Sequence, residues 1–211
     1  MSRLMDIGID RISNMLLDMA KTLEETVGKA IDAYCQGKGL VKEIRENSDR
    51  LFLLQEEVSE LAVELIARFQ PVASDLRFIK SCVEIASGFN RLGRYAYDIA
   101  QIFDLFGDLS SCDNSRVIEM SKIVEDMIHI SIQSFATRDV ELAKTLREMD
   151  DKVDNLYVNY LKNILKKKPT DVKCPLAATL VLRYLERMAD HACYIGDSVV
   201  YIVTGEKPFI R

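Results

Sequence analysis

Two pairs of acidic residues in the last third of the chain have the spacing of one helical turn. Asp150 and Asp154 are four residues apart, and so are Glu186 and Asp190. Residues four apart lie on the same face of an α-helix, so each pair would present two carboxylates side by side. Carboxylate oxygens are the ligands that hard cations prefer, and the pattern therefore predicts a metal site at these four residues.

The segment between the two pairs places them opposite each other. The sequence KKPTDVKCP, at residues 167–175, predicts a turn between two long helices, which would then pack antiparallel. Asp154 lies about as far before this turn as Glu186 lies after it. At a separation of ~5–6 Å and an effective dielectric constant of about 20, two carboxylates repel each other by about 3 kcal/mol. A cation, a basic side chain or protonation would relieve that repulsion.

The donor set indicates which ions the site would take. All-oxygen ligands suit divalent or ferric ions, and the candidates are iron, manganese, magnesium, zinc and calcium. Carboxylates bridge ions, so the site can hold more than one. Asp151, His191 and Asp197 are candidates for its rim or for a second layer around the ligands. The alternative is a solvated helix face without any ion, because the chain has 33 acidic residues in all.

Apolar residues recur at steps of three and four along almost the whole chain, which predicts an all-α protein. Only 9 glycines and 4 prolines occur, and so few of them favour long helices. No segment has the alternating pattern of a strand. Asp139 is placed to cap the fifth helix. The first, fourth and sixth predicted helices span about residues 3–35, 115–136 and 174–204. The second has apolar positions from residue 40 to residue 65, the third runs from the turn at 70–75 to about residue 106, and the fifth ends at about residue 167.

The two halves of the chain repeat the same pattern. Residues 146–157 match residues 44–55, and residues 184–196 match residues 88–100. Each half therefore reads as three helices, which predicts a tandem of two three-helix bundles similar to spectrin repeats. The predicted domains are residues 1–108 and 109–211.

The first half lacks the acidic pattern of the second. The positions that match the four acids are Ser48, Phe52, Asn90 and Arg94. These side chains offer no hard anionic ligand set, so we expect metal in the second half only. Arg94 is placed to pair with Asp98, four residues further on, which would supply a fixed positive charge.

The net charge, the apolar pattern and the cysteine content exclude several classes of function. The net charge of −5 argues against direct binding of nucleic acid, which requires a basic surface. No apolar run is long enough for a transmembrane helix, and the first residues do not resemble an export signal. The five cysteines have neither zinc-ligand nor redox spacing, so we expect reduced, packed thiols in a cytoplasmic protein.

Other polar residues have structural explanations. We expect His129 to be structural. Lys162, Lys173 and the lysine run at 166–168 flank the end of the fifth helix, where positive charge suits the helix dipole. A binding patch for an anion or an acidic partner is the alternative for these lysines.

Three longer stretches resemble one known family. QPVASDLRFI at 70–79, LERMADHACYIGD at 185–197 and VVYIVTGE at 199–206 resemble the PhoU family of phosphate-uptake regulators, in the same order and spacing. The resemblance covers essentially the whole chain. It implies a tandem of three-helix bundles in which paired Glu/Asp-x-x-x-Asp motifs bind multinuclear metal clusters. Those motifs fall on Asp150, Asp154, Glu186 and Asp190, while the first half departs from the pattern.

The resemblance also implies a function and partners. Proteins of this family are non-catalytic, cytoplasmic, negative regulators of phosphate uptake and of phosphate-starvation signalling. They act on the ATPase subunit of the phosphate ABC transporter and, in many bacteria, on a membrane sensor histidine kinase. They reach the membrane through these partners, and many of them are homodimers, which we also expect here.

Two other functions compete with regulation. A carboxylate-bridged metal enzyme would carry two Glu-x-x-His motifs on its bundle helices, and this sequence has none. A purely structural helical-repeat protein that binds partners would expose the same acids to solvent. Metal analysis separates the structural protein from the other two functions.

Overall fold

The part of the protein that the structure describes consists of helices joined by short connections. This computed structural model describes residues 3–167 and 169–206, so Lys168 of the lysine run lies outside it. The six helices in this part confirm the predicted all-α class, and no strand occurs there. They are α1 (Arg3–Gln36), α2 (Val41–Phe69), α3 (Ala73–Phe106), α4 (Ser115–Thr137), α5 (Val140–Lys167) and α6 (Lys173–Thr204).

Local sequence signals set the helix ends. The Asp139 carboxylate accepts a hydrogen bond from the Leu142 N–H at 2.9 Å, which confirms the predicted N-cap of α5. Helix α6 ends at Gly205, whose φ of 77° is left-handed and whose N–H donates to the carbonyl of Tyr201. Glycine adopts this conformation without steric cost, so the chain leaves the helix there.

The helices form two three-helix bundles, as the sequence repeat predicts. Helices α1, α2 and α3 pack together as one bundle, and α4, α5 and α6 pack together as the other. The buried apolar residues of both bundles belong to one hydrophobic core. The bundles lie side by side because α3 packs along α6 and α1 contacts α4. The predicted boundary at residues 108–109 falls in the connection between α3 and α4, and the independence of the two halves stays a prediction.

The expectation of five reduced cysteines is wrong for one pair. Cys112, in the connection between the bundles, forms a disulfide with Cys174 in the first turn of α6. Their separation of 62 residues hides the pairing from any local motif, because sequence alone does not determine disulfide connectivity. Cys82 and Cys193 are buried free thiols, as expected, and Cys35 is half-buried.

Close packing of α5 on α6 depends on Gly196. A methyl group at this position would lie 2.7 Å from Leu146 Cδ1 and 3.2 Å from the carbonyl oxygen of Ala143. One turn earlier, the thiol of Cys193 lies 3.6 Å from the carbonyl oxygen of Leu146. The missing side chain therefore lets the helices that carry the acidic pairs approach each other.

We predict that Gly196→Ala destabilises the protein by up to about 2 kcal/mol. The added methyl group forces α5 away at a cost of about 1–3 kcal/mol, and the better helix propensity of alanine offsets about 1 kcal/mol. Denaturant unfolding measures the change. Gly28→Ala in α1 is the matched control, because its methyl group would meet only Glu125 Oε1 at 3.7 Å. An equal loss of stability in both variants would contradict the role of Gly196.

Candidate metal centre

Helices α5 and α6 bring the four predicted acids to one face of the second bundle. Asp150, Glu186 and Asp190 are half-buried, and Asp154 is exposed. Buried residues flank them, with Val153 on α5 and Ala189 on α6 both fully inaccessible to solvent. The acids therefore lie where the core meets the surface, and we name these four residues the acidic face.

The charges of the acidic face act on one another. Burial, together with the charges of Asp190 and Asp154, raises the pKa of Asp150 to about 6. Burial also raises the pKa of Asp190, with Asp154 adding to the effect. The pKa of Glu186 is raised by burial and by the same two aspartates, although Arg183 opposes them. This mutual repulsion places all four carboxylates in one electrostatic cluster.

Two arginines partly neutralise the cluster. Arg183 forms an ion pair with Glu186. Arg147 pairs with Asp197, outside the acidic face, and its charge opposes the raised pKa values of Asp150 and Asp190. Relief is incomplete, because Asp150 Oδ1 is buried and has no hydrogen-bond partner. Sequence reasoning missed both arginines, although Arg183 lies three residues before Glu186 and the helical spacing could have revealed that pair.

The acidic face fits a metal ion in its chemistry more than in its present geometry. Four carboxylates, among them the buried and unpartnered Oδ1 of Asp150, are a suitable donor set for a hard cation. However, no group of three or more His, Cys, Asp or Glu residues within 3–167 and 169–206 is arranged to hold an ion. Binding therefore requires side-chain rotation, for which the exposed position of Asp154 leaves room.

The three predicted rim residues differ in their surroundings. Asp197 is held by Arg147, and Asp151 is exposed on α5. Their place around an ion stays a prediction. His191 instead lies between the bundles, where its Nε2 is 3.3 Å from the Tyr95 hydroxyl. Burial, together with the charges of Arg91 and Arg187, lowers its pKa to about 4, so the ring is neutral at pH 7.

His129, the histidine that we expect to be structural, also has a partner. His129 Nδ1 on α4 lies 2.9 Å from Glu24 Oε1 on α1, where it links the two bundles at their surface. This contact agrees with a structural role.

The matching face of the first bundle is uncharged or internally paired. Asn90 donates a hydrogen bond to Gln55 Oε1 at 2.7 Å, and Arg94 Nε donates to Asp98 at 3.2 Å, which confirms the predicted pair. Ser48 is buried, and the Phe52 ring is 50% exposed. No acidic quartet therefore forms at the four matching positions.

Comparison with known proteins supports the resemblance seen in the sequence. The PhoU domain model matches residues 16–103 and 117–199, one match for each bundle. The chain belongs to the PhoU domain family. The phosphate-specific transport system accessory protein PhoU homolog of Aquifex aeolicus is 31% identical over 203 residues, covering 94% of this chain and 92% of that protein.

Further PhoU proteins match over similar lengths. PhoU homolog 1 of Methanothermobacter thermautotrophicus, another phosphate-specific transport system accessory protein, is 30% identical over 206 residues, covering 92% of this chain and 94% of the relative. The crystal structure of PhoU from Pseudomonas aeruginosa superposes with a TM-score of 0.88 at 28% identity, covering 95% and 99% of the two chains. The tandem bundle is therefore the fold of a PhoU protein.

Asp150 should make the metal-free protein less stable at neutral pH. Because its folded-state pKa lies above its ordinary value, the folded state holds this proton more tightly than the unfolded chain does. This contribution is fully present below about pH 4 and is lost as the pH rises through about 6. In chelator-treated protein, Asp150→Asn should raise the free energy of unfolding at pH 7 by on the order of 1–2 kcal/mol, allowing for solvent screening.

Urea unfolding between pH 4.5 and 7.5 measures this difference. The advantage of the Asp150→Asn variant should shrink as the pH falls. Asp108→Asn is the control, because hydrogen bonds from Ser110 lower the pKa of Asp108 and place its titration below this range. If the free energies of unfolding of the variant and the wild type differed by the same amount at every pH, the raised pKa of Asp150 would be refuted.

Proposed function

We propose that this PhoU protein is a metal-binding regulator of phosphate uptake that restrains the phosphate ABC transporter. The proposal rests mainly on one combination: both bundles match the PhoU domain, and the second carries a half-buried acidic face. Two relatives that align over more than nine-tenths of the chain are named accessory proteins of phosphate-specific transport. Through the carboxylates of the acidic face, a bound metal can influence the fold.

The ligands in this proposal are Asp150, Asp154, Glu186 and Asp190. A bound cation would reduce the repulsion among these carboxylates. Without a cation, the charge of Arg183 and the protonation of Asp150 reduce it. The ions are divalent or ferric and belong to the second bundle, because the first offers Asn90 and Arg94 instead of acids. Neutralisation would hold α5 against α6 and so fix the surface that a partner meets.

The proposed partner is the ATPase subunit of the transporter, and a membrane sensor histidine kinase is a second one. We propose a non-catalytic role at the cytoplasmic side, as a homodimer. Within the described residues, no helix is both long enough and apolar enough to cross a membrane. Disulfides are rare in the reducing cytosol, so the Cys112–Cys174 bond calls for a direct test of this location by cell fractionation.

We predict that the chain retains the transporter ATPase in a pull-down and that a chelator weakens this retention. Asp154→Asn with Glu186→Gln should remove most bound metal and reduce retention to the chelated level, since two of the four ligands lose their charge. Elemental analysis of the same samples measures metal occupancy.

Asn90→Ala with Arg94→Ala is the matched control on the first bundle. It should leave metal content and retention unchanged. Absence of metal after incubation with Mn²⁺, Mg²⁺ or iron would refute the metal site. If neither the chelator nor the ligand variants changed the retention of the ATPase, the adaptor role would be independent of the metal.

A further inference from the structure

The end of the second bundle contains a groove that the acidic face does not use. Two cavities of about 470 and 360 Å³ adjoin there. Both are lined by Arg116 from the first turn of α4 and by Tyr160 and Asn163 from α5. Because they share these residues, the cavities are neighbours, and we name the two together the tip groove.

The tip groove is basic, in contrast to the rest of the chain. Its charged lining consists of four cations and two acids, and the chain as a whole carries a net charge of −5. The lysine run seen in the sequence supplies two of the cations, another lysine of α5 supplies the third, and folding adds the fourth from α4. The charged residues are Arg116, Lys162, Lys166, Lys167, Asp113 and Glu119.

Most of this positive charge forms no ion pair within the described residues, although the charge of Lys167 helps to lower the pKa of Asp113. Within the described residues, none of the three lysines forms an ion pair or a side-chain hydrogen bond. Arg116 Nη1 lies 2.6 Å from Glu119 Oε2, which leaves the other guanidinium nitrogens available. Asp113 accepts a hydrogen bond from the Ser115 N–H at 3.1 Å, so its carboxylate is engaged with the backbone at the start of α4.

We propose that the tip groove binds a phosphate-bearing anion. A phosphoryl group presents several oxygens, which suits a site with one guanidinium, three ammonium groups, the Tyr160 hydroxyl and the Asn163 amide. A single carboxylate has only two oxygens and would leave more of these donors unmatched. This inference goes beyond the proposed function, because it involves neither the acidic face nor the transporter.

The test uses the full-length, chelator-treated chain at low ionic strength, with inorganic phosphate and pyrophosphate as probes. Amide chemical shifts in ¹⁵N NMR should move around Arg116, Tyr160 and Asn163, and pyrophosphate should bind more tightly than phosphate. Lys166→Gln with Lys167→Gln should weaken pyrophosphate binding at least fivefold. Lys38→Gln with Lys42→Gln, two exposed lysines of the first bundle, removes the same charge and should change binding less than twofold.

Vesicles distinguish a lipid headgroup from a free phosphate. Co-sedimentation with phosphatidylglycerol vesicles but not phosphatidylcholine vesicles, lost in the Lys166/Lys167 variant, would support a headgroup as the source. Three results would overturn the proposal: shifts that fall outside the tip groove, equal weakening in the two double variants, or binding of a poly-glutamate peptide without binding of any phosphate probe.

Discussion

Helix α6 must pack against three other helices at once, and this requirement decides where its charged residues can lie. It contacts α3, α4 and α5, so buried positions occupy most of its circumference. Glu186, Asp190 and Asp197 share the strip that remains next to α5. They are half-buried instead of fully solvated because that strip borders the core.

The acidic face is a consequence of this packing. Gly196 lets α5 approach α6, and Asp150 then meets the carboxylates of α6 in surroundings that disfavour its charge. Arg183 forms an ion pair with Glu186 and Arg147 forms one with Asp197, yet a buried oxygen of Asp150 has no hydrogen-bond partner. A cluster of like charges with incomplete internal compensation favours an external cation. The first bundle avoids the problem, since Arg94 and Asp98 neutralise each other there.

Much of this arrangement could be read from the sequence, because helical periodicity, caps and the internal repeat are local signals. The six helices, the Asp139 cap and the Arg94–Asp98 pair follow from spacings of three and four residues. Contacts between distant segments carry no such signal. The Cys112–Cys174 bond and the contact of His191 with Tyr95 depend on how the helices pack, so the sequence could not reveal them.

The central claim is that repulsion in the acidic face costs stability that a cation restores. Thermal melting of chelator-treated protein, with and without Mn²⁺, tests it most directly. At a free concentration 100 times its dissociation constant, a cation that binds only the folded state stabilises it by about 2.7 kcal/mol, a rise in melting temperature of roughly 5–10 °C for a chain of this size. The double variant Asp154→Asn with Glu186→Gln should have a higher melting temperature than the metal-free wild type, and Mn²⁺ should not change it. A wild type that melts at the same temperature in both conditions, with its metal occupancy confirmed, would contradict the account.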